Sequence, residues 1–426
     1  MKKVVCLLLA VVLVFMFVSC GKENNKTEEK FTPSLDKETT GVINIAGHYS
    51  NFEALEEEFN RFAEYYPNVE LKYTCLDNYN KIISTTLQGE NAPDIFFTVP
   101  WMMDSDDYQA MFDCAEDLSD PKLGINLSCI RDGLLAKDRN GKISLVPIYT
   151  TTYGMMVNEN IFAKEGLSVP KTYNELIEVC NKLKDAGYSN PVMGYNQKSS
   201  MLYSFFFPHF CSTIAGNETA VKELNELKPS AGEYMRPTLE LVADFMSKGI
   251  VDLESCNQIK DDYNAVIMRF FEGDVPMMFA SGNAISGTEK REKQSEAFTA
   301  SPFKYSFQPI PTTENGGFFL NNISIGFSVN KNSKNLDITN EFMRFLISTT
   351  ELNLMAQSKR MVTPCKDMAL DVTYSSFAAL NKDQILYINN IGLADAPDVQ
   401  MRKAGANVAN GTMTVDEAIE AFGTLN

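Results

Sequence analysis

From Val42 onward the chain alternates short apolar strands with amphipathic helices, and that order constrains the fold more than any other feature. Val42 to Ala46 reads as a strand closed by Gly47. Phe52, Leu55, Phe59, Phe62 and Tyr66 then recur at helical spacing until Pro67 stops the run. Ser50 to Glu53 fits a capping box, with the serine accepting an early amide and the glutamate reaching back. Val69 to Tyr73 is a second strand, Asn78 to Leu87 a helix ending at Gly89, and Asp94 to Thr98 a third strand. Strand, helix, strand, helix, strand implies parallel pairing through right-handed crossovers, an α/β layer fold.

A second α/β set starts near Pro147. Gly154 to Asn158 predicts a strand, and Thr172 to Glu175 a capping box opening a helix through Leu183. Val192 to Tyr195 is strand-like, Leu239 to Ser247 helical, and Val275 to Phe279 a strand. Ile325 to Val329 and a helix from Asp337 to Leu346 form a further pair. The tail from Thr414 to Glu417 opens a capped helix that packs Val415, Ile419 and Phe422. A chain of 426 residues is long enough for two or three domains.

Ahead of this body, Lys2 and Lys3 precede an apolar run from Val4 to Val18, followed by Ser19, Cys20 and Gly21. Fifteen apolar residues reach roughly 22 Å as a helix, short of the ~30 Å hydrocarbon core of a bilayer. The segment reads as a secretory signal over residues 1–19. Gly21 to Thr40 is rich in Lys, Glu, Asn, Thr and Ser, with little to bury, so residues 20–40 read as a flexible tether. Net charge is −17, from 38 basic and 55 acidic side chains, and loss of Lys2 and Lys3 would make it −19. So acidic a surface repels polyanions and excludes nucleic acid as a partner. The chain has nine cysteines, seven of them in the body, with no C-x-x-C spacing. That argues against zinc ribbons and thioredoxin-like sites, and most of the seven should pack as small apolar residues.

Several blocks carry a resemblance. Phe17-Val18-Ser19-Cys20-Gly21 resembles the bacterial lipobox, with Phe17 in place of the usual leucine; Cys20 would become the lipidated N-terminus. Tyr66 to Leu71 resembles the step "YPNVEV", Gln88 to Phe96 the turn "SGNAPDIF", and Gly141 to Pro147 the approach "GKIYALP". Met156 to Leu167 with Pro170 to Leu176 resembles "YYNKDLFKKAGL…PKTWDEL". Phe271 to Met278 is similar to "FANGKAAM", and Gln308 to Pro311 to "FPLP". These motifs occur, in this order, in the extracellular solute-binding proteins of ATP-binding-cassette importers, specifically the large sugar-binding family.

The resemblance implies a two-lobed α/β protein, each lobe a mostly parallel sheet flanked by helices, joined by hinge crossovers. The N-terminal lobe would span 41–147 plus about 312–365, and the C-terminal lobe 148–311 plus about 366–426. It further implies a monomeric, lipid-anchored receptor on the outer face of the membrane that needs no cofactor or metal. Such a receptor traps a carbohydrate, a di- or oligosaccharide, by cleft closure and presents it to the importer's permease subunits.

Ligand contacts should sit on loops after strand C-termini, facing the cleft. His48 and Tyr49 follow the first strand, and Trp101, the only indole in the chain, follows the third. Tyr149 and Tyr153 lie past the hinge approach; Phe279, Ser281 and Asn283 follow a later strand; Phe319 and Asn321 lie near a crossover. Asn283 stands where the family commonly has tryptophan and would offer a bidentate amide to vicinal hydroxyls. Each of these residues also has an ordinary structural use as a cap, a hinge or core packing.

Other classes stay open. Asp104, Asp106 and Asp107 do not complete a calcium loop, since Gln109 and Ala115 stand where Gly and Glu are needed; they read as first-turn acids of a helix. A secreted hydrolase is the enzyme alternative, but G-x-S-x-G, H-E-x-x-H and phosphate-loop motifs are absent. A receptor for a peptide or polyamine, or one feeding a sensor, is the other.

Overall fold

The computed structural model describes residues 31–103, 105–194, 202–259 and 263–425. The leader, Cys20, the start of the tether, Asp104 and the strand end expected at Tyr195 lie outside them. The sequence-predicted strands are present, and two are far longer than expected.

Strand β1 (Gly41–Gly47) pairs in parallel with β2 (Val69–Cys75) along its whole length, from Gly41 opposite Val69 to Gly47 opposite Cys75. On its other side it pairs in parallel with β3 (Ile95–Thr98). Beyond β3 the sheet continues through β8 (Phe319–Val329), antiparallel, and then through β4 (Val146–Asn158). The far end of β4 carries β6 (Met277–Ser281) and β7 (Tyr305–Gln308), both antiparallel; β5 (Val192–Met193) lies parallel to β6. The start of β8 also pairs in parallel with β9 (Ile385–Tyr387). The main path is therefore β2-β1-β3-β8-β4-β6-β5.

The chain is an α/β protein of two lobes whose sheets meet in β4 and β8. Val146 and Pro147 pair with Phe327 and Gly326 at one end; Thr150 to Tyr153 pair with Ile323 to Leu320 at the other, with register shifts around Tyr149 between them. The expected strands Gly154 to Asn158 and Ile325 to Val329 are only the outer halves of these two. The inner halves carry Thr150, Thr151, Thr152 and Asn321, buried polar residues that give no apolar alternation to read. They suit a strand because β-branched side chains pack well on a pleated surface. Their polar atoms are used locally: Asn321 Nδ2 donates to the Thr151 carbonyl at 2.7 Å, and Thr152 Oγ1 to that of Leu320 at 3.1 Å.

Helix α1 (Glu53–Ala63) packs under the first half of the sheet. The box expected at Ser50 does not form. The helix starts behind Phe52, without a side-chain cap, because Phe52 is drawn into an aromatic cluster with Tyr73 and Phe97. Phe97 is its centre, 1% exposed and stacked on Phe327 at 5.4 Å. Gly47 is needed here, since a Cβ would lie 2.4 Å from the Phe97 ring.

In the second half, α2 (Tyr173–Asp185) is capped by Thr172, which accepts from Glu175 N at 3.3 Å. Helix α3 (Tyr203–Ile214) is apolar on nearly every face and is buried between the sheet, α4 (Arg236–Ser247) and α5 (Asp395–Ala409). The tail helix α6 (Val415–Glu420) carries the complete expected box: Thr414 Oγ1 accepts from Glu417 N at 3.2 Å, and Glu417 accepts from Thr414 N at 2.7 Å. Thr414→Ala should cost about 1 kcal/mol. Urea titration checks this: the midpoint falls and the slope is unchanged.

Candidate functional site

The C-terminal ends of β1, β3 and β6 point toward one opening where β4 and β8 cross. A cavity of about 1150 Å³ lies there, and one of about 590 Å³ adjoins it; both are lined in part by Val99, Trp101 and Ser324. A cleft at strand C-termini, with loops free to vary around a fixed sheet, is where α/β folds place ligands.

On one wall Trp101 stands just beyond β3, 41% exposed, its ring set edge-to-face with Tyr108 at 5.4 Å. That contact fixes the indole while leaving much of it open to the cleft. His48 lines the smaller cavity with Asp77, Asn80 and Lys81. Its ring is 5.5 Å from Phe97, and burial lowers its pKa below the usual histidine value, so it is neutral at pH 7.

The opposite wall is aromatic and charged. Tyr203 lies parallel to Phe207 at 4.8 Å, and Tyr153 meets both edge-on, at 6.1 and 5.9 Å. The Tyr203 hydroxyl donates to Asp398 Oδ1 at 2.6 Å. The Arg402 guanidinium sits 4.3 Å from the centre of the Tyr203 ring, with Nη2 3.4 Å from Asp398 Oδ2. Burial raises the Asp398 pKa, while the Tyr203 hydroxyl and Arg402 pull it back. Burial also raises the pKa of Tyr153 and Tyr203, so both keep their phenolic protons. Ser281, the last residue of β6, Asn283 just beyond it, and Asn322 and Ser324, on β8, complete the polar lining.

The structure thus brings His48, Trp101, Tyr153, Ser281 and Asn283 to the cleft, sets Tyr49 at its edge, and leaves Tyr149, Phe279, Phe319 and Asn321 behind it. Tyr49 is half-buried: its N–H donates to Tyr73 Oη at 3.0 Å, its ring packs on Phe52 and Phe97, and its hydroxyl interacts with the cleft-lining Ser324. Tyr149 is 1% exposed inside the hinge. Phe279 stacks on Phe205 at 4.5 Å, and Phe319 lies between Phe307 and Phe377; both are core. Asn321 is fully buried, holding β8 to β4. Successive strand residues face opposite ways, so Asn322, its neighbour, faces the cleft instead.

Sequence reasoning missed Tyr203, Phe207, Asp398 and Arg402. The signals were present as i,i+4 spacings: two aromatics on α3, and an acid followed by an arginine on α5.

A family model described as bacterial extracellular solute-binding protein matches residues 46–351. The chain belongs to that family. Escherichia coli (strain K12) YcjN, whose name assigns it to an ABC transporter as periplasmic-binding protein, is 21% identical to this solute-binding protein over 355 residues. That match covers 79% of this chain and 74% of YcjN. Among solved structures, apo RafE from Streptococcus pneumoniae superposes with a TM-score of 0.70 at 20% identity, over 92% of this solute-binding protein and 98% of RafE. RafE in complex with raffinose gives 0.65 at 18%, over 89% and 98%. The GacH receptor of Streptomyces glaucescens, solved unliganded and with acarbose, gives 0.65 at 18%, over 90% and 96%. At these identities the likeness establishes the fold.

Proposed function

We propose that this solute-binding protein captures a carbohydrate, a di- or oligosaccharide, in the cleft and presents it unchanged to an ATP-binding-cassette importer. The observation carrying this reading is the opposition of Trp101 to the Tyr153–Tyr203–Phe207 group across a cavity edged by hydrogen-bonding side chains. Aromatic faces suit the C–H faces of sugar rings, and fixed polar groups set orientation. The binding set is His48, Trp101, Tyr153, Ser281 and Asn283, joined by Tyr203, Asp398 and Arg402. The raffinose bound by RafE and the acarbose bound by GacH support a carbohydrate ligand.

In this reading the lobes are 41–147 plus about 312–365 and 148–311 plus about 366–426, and they close by bending in β4 and β8. Closure proceeds when differential affinity for the closed state outweighs the cost of ordering it. The receptor is a monomer held at the outer membrane face by lipid on Cys20, and it works without cofactor or chemical turnover.

The test is a thermal-shift panel of raffinose, maltotriose and xylotriose beside a tripeptide and spermidine. A ligand at 100 times its Kd stabilises the fold by about 2.7 kcal/mol. An upward shift with a sugar is expected; shifts confined to the peptide or spermidine would refute the carbohydrate reading. Cys20→Ser should abolish incorporation of labelled fatty acid, and retained label would refute the anchor.

A further inference from the structure

Two cysteines lie where the loop after residue 126 meets the hinge segment. Ile130 pairs with Cys365 as an antiparallel bridge. Two backbone hydrogen bonds frame it: Arg131 N to the Pro364 carbonyl at 3.0 Å, and Lys366 N to the Cys129 carbonyl at 2.8 Å. Cys129 is therefore one position from the bridge on one segment, and Cys365 is in it on the other. Cys129 Sγ donates to the Asn126 carbonyl at 3.1 Å and Cys365 Sγ to that of Thr349 at 3.9 Å, and the two thiols are near enough for each to shift the other's pKa. Both are unbonded in the structure, Cys129 half-buried and Cys365 fully buried. The same segment is locked to the sheet, because Val362 bridges to Thr150 in β4 and Arg131 Nη2 donates to the Thr363 carbonyl at 2.7 Å.

We propose that Cys129 and Cys365 are an oxidisable pair that closes to a disulfide, tying the loop to the hinge segment. Disulfides persist in oxidising compartments outside the cytosol, where the members of an extracellular family work. The oxidant is a low-molecular-weight disulfide such as oxidised glutathione. The Cys129 sulfur attacks one of its sulfurs and expels a first glutathione thiol. Cys365 then attacks the Cys129 sulfur of the mixed disulfide and expels a second. One S–S bond breaks and one forms, and the two cysteine protons leave on the two glutathione thiols. In the mixed disulfide, Thr363 and the Arg131 guanidinium remain beside Cys365 and favour its thiolate, the attacking form, against the opposing effect of burial.

The experiment treats the protein with oxidised glutathione, blocks free thiols under denaturing conditions, and maps peptides without reductant. We expect one linked species joining the Cys129 and Cys365 peptides, two fewer alkylated thiols than after reduction, and a melting temperature that falls on adding reductant. Cys129→Ser should remove the link and the reductant effect, and Cys114→Ser should keep both. Cys129 is half-buried, so its serine variant folds even if a change at Cys365 does not. Full alkylation of both cysteines after oxidation, Cys129 recovered only as a glutathione adduct, or a link to another cysteine would each overturn the proposal.

Discussion

Trp101→Ala is expected to weaken oligosaccharide binding by about 30- to 100-fold, as for an aromatic hot spot worth about 2–3 kcal/mol. The indole is the one large aromatic surface on its wall of the main cavity, and it is held by Tyr108 in an orientation that leaves it 41% exposed. A bound sugar ring would cover that surface, so the loss falls on the complex. The unliganded protein should melt within about 0.5 kcal/mol of the parent, as an exposed substitution does. Calorimetric titration with whichever sugar gives the largest thermal shift is the measurement. Unchanged affinity, or a loss matched by destabilisation of the free protein, would remove Trp101 from the site.

A second large effect belongs to the underside of the same lobe, where Glu58 on α1 faces Glu351 on the helix Thr349–Ser358. Glu58 is fully buried, and its Oε1 accepts from Arg61, whose Nε also donates to Glu351 Oε2 at 2.7 Å. Its other oxygen, Oε2, accepts no hydrogen bond, so nothing on that side offsets the burial of a negative charge. Burial, reinforced by the neighbouring Glu351 carboxylate, pushes the Glu58 pKa up to about 9, against the pull of Arg61. A group whose pKa is raised on folding binds more protons in the folded state between its two pKa values. Stability from Glu58 is therefore complete below about pH 4.5 and falls as pH rises toward 9, by on the order of 1 kcal/mol per pH unit. Glu58→Gln supplies a neutral group of the same shape and should flatten that slope. Urea melts of both proteins at pH 5, 6, 7 and 8 decide it, and parallel pH profiles would mean that Glu58 is ionised when folded.

The fold was legible where local rules act alone. The β1–β2–β3 order, the stop at Pro67 and the caps at Thr172 and Thr414 all follow from spacing and side-chain chemistry within a few residues. Ser50 was misleading because Phe52, two positions later, is claimed by the Phe97 cluster, and tertiary packing outweighs a cap of about 1 kcal/mol. The inner halves of β4 and β8 were illegible because their buried residues are threonine and asparagine, whose partners lie some 170 positions away.

The cleft was read less well than the fold. Position after a strand end led to Trp101, Ser281 and Asn283, since loops at strand C-termini have one way to face. Within β8 the same reasoning picked the wrong parity, as Phe319 and Asn321 show. Asp398 and Arg402 were invisible as a site because nothing local says that α5 lies against Tyr203; that contact joins residues 195 positions apart.

The shared strands also govern how such a protein can be rebuilt. Because β8, arriving late in the chain, sits between β3 and β4, no single cut yields two pieces that each keep a whole sheet. The halves are not exchangeable cassettes. A chimaera that exchanges one whole half with a homologue has to swap at least two separated stretches at once, and a single junction would leave β3 and β8 from different parents wherever it falls between them.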